Sequence, residues 1–135
     1  MMSRKNIRRN NFMRRIGVYG SLRCGMHNHC LLNNSNLIER KVVNVPYKMV
    51  SLGSFPALIP DIDNKCHDVV FEIYEVTDDV YANVEILEGY PDFYNKAFEA
   101  DGKFEYYYVK DDNKYYQSRF EDEEHIVDWV EYMKH

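Results

Sequence analysis

The stretch that most narrows what this chain can fold into is residues 67–76, HDVVFEIYEV, together with the helix start immediately after it. Its β-branched and aromatic residues suit a pleated, half-buried strand. Thr77 then supplies a capping side chain, and Asp78-Asp79 put acids at the positive end of a helix dipole. Val80, Val84 and Leu87 recur at helical spacing, and Gly89 and Pro91 end the pattern. A long strand that passes directly into a capped helix demands both element types in one core.

The rest of the chain adds strands around that unit. Arg15–Tyr19 is a short apolar run entering a turn at Gly20. His27–Leu37 has helix-compatible apolar positions, but its asparagines predict an irregular helix at best. Residues 41–52, KVVNVPYKMVSL, read as one strand in which Pro46 forces an edge position or a bulge. Gly53–Pro60 reads as a loop with two prolines. Tyr94–Ala100 and Phe104–Lys110 flank Asp101-Gly102, a hairpin signal. In the second arm Phe104, Tyr106 and Tyr108 share one face, with Tyr107 and Val109 on the other. A strand near Tyr115–Phe120 and a short helix over Glu123–Lys134 complete the chain. The expected fold is α+β, a small mixed β-sheet or open barrel with two or three short helices.

At 135 residues the chain suits one domain, and 45% hydrophobic residues suffice for a core. The net charge of −5 conceals an asymmetry. Arg4, Lys5, Arg8, Arg9, Arg14 and Arg15 precede the first strand or open it, with no acid among residues 1–15; the remainder then holds 11 basic against 22 acidic residues. A body that acidic repels nucleic acid, so only the basic tail could contact it. Residues 1–13 are expected to be a disordered basic extension ahead of a domain spanning 14–135, and Met13 is a second candidate start. No apolar run reaches the roughly 20 residues a membrane helix needs. Cys24, Cys30 and Cys66 are odd in number and form no CxxC pair, which argues for a reducing compartment and a cytoplasmic protein. The sequence sets no oligomeric state.

No GxSxG, Walker A or GxGxxG occurs. Cys24, His27, His29 and Cys30 crowd four metal-capable side chains into seven residues. Adjacent His29 and Cys30 are hard to aim at one ion and no second cluster completes a site, so no metal is expected. Two motifs remain. Val18-Tyr19-Gly20-Ser21-Leu22-Arg23-Cys24-Gly25, with Asn28 three residues on, is a strand end that exposes successive backbone N–H groups suited to an anion. Leu87-Glu88-Gly89-Tyr90-Pro91-Asp92-Phe93-Tyr94 closes a helix on a carboxylate among apolar and aromatic neighbours. A lone glutamate there is commonly a solvated helix-end acid. It is nevertheless poorly placed at the negative end of a helix dipole, a local conflict that functional sites tolerate.

Together, and in this order, the motifs resemble the gamma-glutamylcyclotransferase-like family, the small proteins related to plant avirulence-induced gene products and their bacterial homologues. Tyr19–Gly25 matches its YG[ST]L loop, Gly53–Pro60 a later segment, Val69–Val76 a strand, Leu87–Tyr94 its LExYPxxY-type block, and Asp128–Tyr132 an aromatic C-terminal stretch. The resemblance covers roughly residues 14–132. It implies a cofactor-free acyl transfer in which the α-amine of a γ-glutamyl amide or amine compound attacks its own γ-carbonyl, leaving 5-oxoproline and a free amine. By the same resemblance Glu88 is the proton-transfer residue, and Tyr19, Gly20, Ser21, Leu22 and Tyr94 bind substrate. Phe71 stands where many relatives have glycine and is expected to narrow the pocket; Glu85 replaces a common Asp and Lys96 a common Arg. Two other classes stay open: a binding module that sequesters a small metabolite without turnover, and a partner- or nucleic-acid-binding protein acting through the tail.

Overall fold

The computed structural model describes residues 13–135, so the basic segment 1–13, Met13 apart, lies outside the described residues. Seven strands form two sheets. β1 (Arg14–Val18), β2 (Asn36–Val45), β5 (His67–Val76), β6 (Tyr94–Phe98) and β7 (Glu105–Val109) make a five-stranded sheet in the order β2-β5-β1-β7-β6. β3 (Tyr47–Ser51) and β4 (Pro56–Pro60) make an antiparallel pair of their own. The large sheet is mixed: β1 runs antiparallel to β5 and parallel to β7. Three short helices, α1 (Asp78–Glu88), α2 (Tyr115–Arg119) and α3 (Trp129–Met133), complete the expected α+β fold.

β5 shows how the period-2 pattern builds the core. Val69, Phe71 and Ile73 enter one buried cluster with Phe104, Tyr106 and Trp129, whereas Tyr74 and Val76 enter another with Ile16, Val84, Tyr107 and Val109. The faces of β7 are those its alternation predicts, with Tyr107 and Val109 opposite Phe104 and Tyr106. Fully buried Phe71 packs on Tyr19, Phe104 and Tyr106. It does not line the cavity described below, so the expectation that it narrows the pocket is corrected.

The α1 boundaries match the sequence signals. Thr77 Oγ1 accepts from Val80 N–H, and Gly89 takes the left-handed conformation (φ +66°) while its N–H reaches back to the Glu85 and Ile86 carbonyls. Elsewhere the structure departs from the local signals. The 41–52 run is two strands in different sheets, broken at Pro46. Pro56–Pro60 is a strand, its prolines at the two ends where ladder donors matter least. The region 27–37 holds only a 3-10 turn at His29–Leu32 before β2 begins. The β6–β7 connection is longer than a two-residue turn: Glu99 N–H meets the Phe104 carbonyl, and the Glu99 carboxylate accepts from Lys103 N–H. Tyr115–Arg119 is helical because the Asp111 carboxylate caps the N–H groups of Tyr116 and Gln117 at 2.9 and 2.8 Å. Helix α3 begins only at Trp129, where the Asp128 side chain caps it.

Candidate active site

β1 delivers the chain to the loop Tyr19–Gly25, which is pinned from behind. The guanidinium of Arg23, only 3% exposed, donates to Glu72 at 2.9 Å and to Asp128 at 2.7 Å. Glu72, fully buried on β5, also accepts from Cys24 N–H and from the Tyr74 hydroxyl, both at 2.8 Å. Burial alone would push the Glu72 carboxyl up; the Cys24 N–H, Arg23 and Tyr74 outweigh it and hold the group below the usual glutamate range. A charged cluster thus fixes the loop to the sheet and to α3. With its back held, the loop turns its front to a cavity.

That cavity measures about 210 Å³, far above the roughly 10–15 Å³ one water requires. Tyr19, Gly20, Ser21 and Leu22 form one wall and Glu88 and Tyr94 stand in another, so all six residues singled out in the sequence meet around one space. Gly20 is required by close approach: a Cβ there would lie 2.6 Å from Pro56 Cδ and Cγ. No backbone carbonyl accepts from the N–H groups of Gly20, Ser21 or Leu22 among the described residues. Ser21 Oγ accepts from Asn28 Nδ2 at 2.9 Å, which leaves its own proton free to donate. The wall is therefore rich in donors.

Glu88 supplies the opposite character. It is the last residue of α1, and loss of hydration pushes its carboxyl up to about 7, with no other contribution. The residue as a whole is only partly shielded, since the cavity opens to solvent, yet its carboxyl meets no cation and no hydrogen-bond donor among the described residues. Glu85, one turn earlier, is paired with Lys96 at 2.5 Å instead. Tyr94 does not touch Glu88 through its hydroxyl, which donates to the Pro56 carbonyl at 2.9 Å. Its part in the geometry is to hold the wall against which Gly20 packs.

Sequence reasoning missed Tyr107. Its side chain is 3% exposed, it lines the cavity, and its buried hydroxyl has no hydrogen-bond partner. Its backbone carbonyl meanwhile accepts from the Tyr19 hydroxyl at 2.6 Å. The alternation along β7 already put Tyr107 on the face away from Phe104; what it lacked was the position of β1 beside that face. Phe55, Phe93 and His27 at the cavity margin were likewise unassigned. In the Cys24–Cys30 run His29 Nδ1 contacts the Leu22 carbonyl at 2.9 Å, and no three His, Cys, Asp or Glu side chains converge among the described residues. No helix among them is long and apolar enough to cross a membrane.

The chain is similar in sequence and in fold to known proteins. Provisionally named gamma-glutamylcyclotransferases of Methanocaldococcus jannaschii and Vibrio cholerae are each 34% identical to the chain, over 62% and 58% of it and 68% and 65% of their own lengths. The crystal structure of an AIG2-like protein from Mus musculus superposes with a TM-score of 0.60 at 24% identity, over 72% of this chain and 77% of that one. A uropathogenic E. coli-specific protein gives 0.68 at 17% identity, over 91% and 97%. These two likenesses carry the fold alone. The profile of the family described as "Gamma-glutamyl cyclotransferase, AIG2-like" matches residues 16–131, from the first buried residue of β1 into α3 and across both walls of the cavity. The chain therefore belongs to the gamma-glutamyl cyclotransferase, AIG2-like family.

Proposed function

We propose that the chain is a cofactor-free gamma-glutamylcyclotransferase acting on a γ-glutamyl amide. The observation that carries the reading is a desolvated carboxyl titrating near 7 that shares a cavity with unpaired backbone donors. The reaction is intramolecular. The substrate's α-nitrogen attacks its own γ-carbonyl carbon, the bond to the leaving nitrogen breaks, and 5-oxoproline and an amine result, with no water or second substrate consumed. The site must then hold the folded conformer and move protons, and correct orientation can supply a large part of the barrier reduction.

Glu88 in its ionised form takes a proton from the attacking α-amine and returns one to the departing nitrogen. A carboxyl near 7 suits both halves of that task at neutral pH. The N–H groups of Gly20–Leu22 and the Ser21 hydroxyl meet the substrate's anionic oxygens, in a wall that needs no rearrangement to do so. Tyr107 adds an aromatic side chain to the wall beside the loop. Tyr94 acts through Pro56 as a positioning residue.

The test is incubation with a panel of γ-glutamyl amides and detection of 5-oxoproline by mass spectrometry. Release above the uncatalysed background is expected. A ligand bound and recovered unchanged would instead favour a binding module on the same fold.

A further inference from the structure

We propose that the outer edge of β2 is the interface of a two-fold symmetric dimer, in which it pairs antiparallel with β2 of a second copy, Arg40 opposite Arg40. β2 ends the five-stranded sheet, and along its ten residues its outer side meets no other strand among the described residues. Which of its backbone groups face outward follows from β5. Val70 N–H donates away from β2, to the Val127 carbonyl at 2.8 Å, so Val42, opposite Val70, turns its own N–H and C=O to the open edge. By alternation Arg40 and Asn44 do the same. Such a row of open donors and acceptors is a template for another strand.

The side chains select which strand fits. Leu37, Ile38 and Val42 are 49%, 41% and 58% exposed along this edge. Between them stand Glu39, Arg40 and Lys41, which a generic apolar strand would leave unmatched. A second copy of β2 matches them in one symmetric register. With Arg40 at the two-fold axis, Glu39 lies opposite Lys41 of the second copy, and Lys41 opposite its Glu39. These are non-hydrogen-bonded pairs, where cross-strand side chains come closest. Val42 then falls opposite Ile38, at the bulge between Leu37 and Glu39.

The neighbouring registers do worse. An axis at Glu39 or Lys41 sets like charges face to face, and an axis at Val42 sets Lys41 against Val43 and Arg40 against Asn44. In the favoured register the two Arg40 guanidinium groups are kept apart, because each is drawn onto its own Glu72 at 3.5 Å. The contact also closes on itself. It joins two five-stranded sheets into one continuous sheet with β6 at both outer ends, and no further β2 edge remains for growth.

Charge reversal tests both the interface and its register. Sedimentation equilibrium over a dilution series should take the wild type from the 16.2 kDa chain to twice that mass, with weaker association at high salt. Glu39→Lys and Lys41→Glu should each weaken dimerisation at least about tenfold, since each turns the two opposite-charge pairs into a cluster of four like charges. An equimolar mixture of the two variants should recover the wild-type affinity, because one copy then brings only lysines and the other only glutamates. Recovery requires both variants to be folded, so misfolding cannot imitate it. A wild type that stays monomeric at every concentration would overturn the proposal and leave the edge to a strand of another protein. A dimer indifferent to both substitutions, or a mixture that associates no better than its components, would overturn it as well.

Discussion

Replacing Glu88 by glutamine should make the protein more stable, and only above acid pH. An ordinary glutamate titrates near 4.5, whereas burial in the cavity wall pushes Glu88 up to about 7. Between these values the folded state holds a proton that the unfolded state has lost, so unfolding stability falls as pH rises. Above 7 the penalty is complete, because a desolvated charge is then buried without a partner. At 1.36 kcal/mol per pH unit the gap sets a ceiling of about 3 kcal/mol. Solvent entering the open cavity lowers that, to roughly 1–3 kcal/mol. Glutamine keeps the shape and cannot ionise. Urea unfolding of both proteins at pH 4, 6 and 8 should therefore show no difference at pH 4 and the variant ahead by that margin at pH 8. A difference that stays flat across the series would refute the claim that the Glu88 carboxyl is desolvated.

The geometry sets three further outcomes. Gly20→Val drives its side chain into Pro56, so 5-oxoproline binding measured by calorimetry should be lost, at a stability cost of about 1–3 kcal/mol; Ser21→Thr should bind as the wild type does. Arg23→Met removes the nearer of the two guanidinium groups on the buried Glu72, leaving Arg40 at 3.5 Å, and should cost about 3–5 kcal/mol, seen as a melting temperature lowered by roughly 10 °C or more. A chain beginning at Met13 should keep its melting temperature and turnover, and a lowered melting temperature would show that residues 1–12 contribute to the folded state.

Much of this architecture was legible because local signals agreed with the final packing. The strand 67–76, the Thr77 cap and the Gly89 stop were all local, and each stands where its chemistry put it. The errors arose where a partner outside the element decides. Nothing near Tyr115–Phe120 marks it as helical except the Asp111 carboxylate four residues earlier. Pro56–Pro60 is a strand only because β3 pairs with it. The site divides the same way. The two motifs could be read from sequence, and the cavity joins them, but Tyr107 and Phe55 enter it through strand and loop positions that no spacing revealed. Tyr94 was identified, while its partner, the Pro56 carbonyl, was not.

The central claim is that Glu88 moves the proton in an intramolecular cyclisation. It is tested most directly by single-turnover release of 5-oxoproline from a γ-glutamyl amide, compared between wild type and Glu88→Gln under conditions where both are folded. General acid–base catalysis contributes about 10²–10⁴ in rate, so the variant should lose at least a hundredfold. Its substrate affinity should stay within about tenfold, and Glu85→Gln, whose carboxylate faces Lys96, should keep most of the rate. Undiminished 5-oxoproline release by Glu88→Gln would contradict the account.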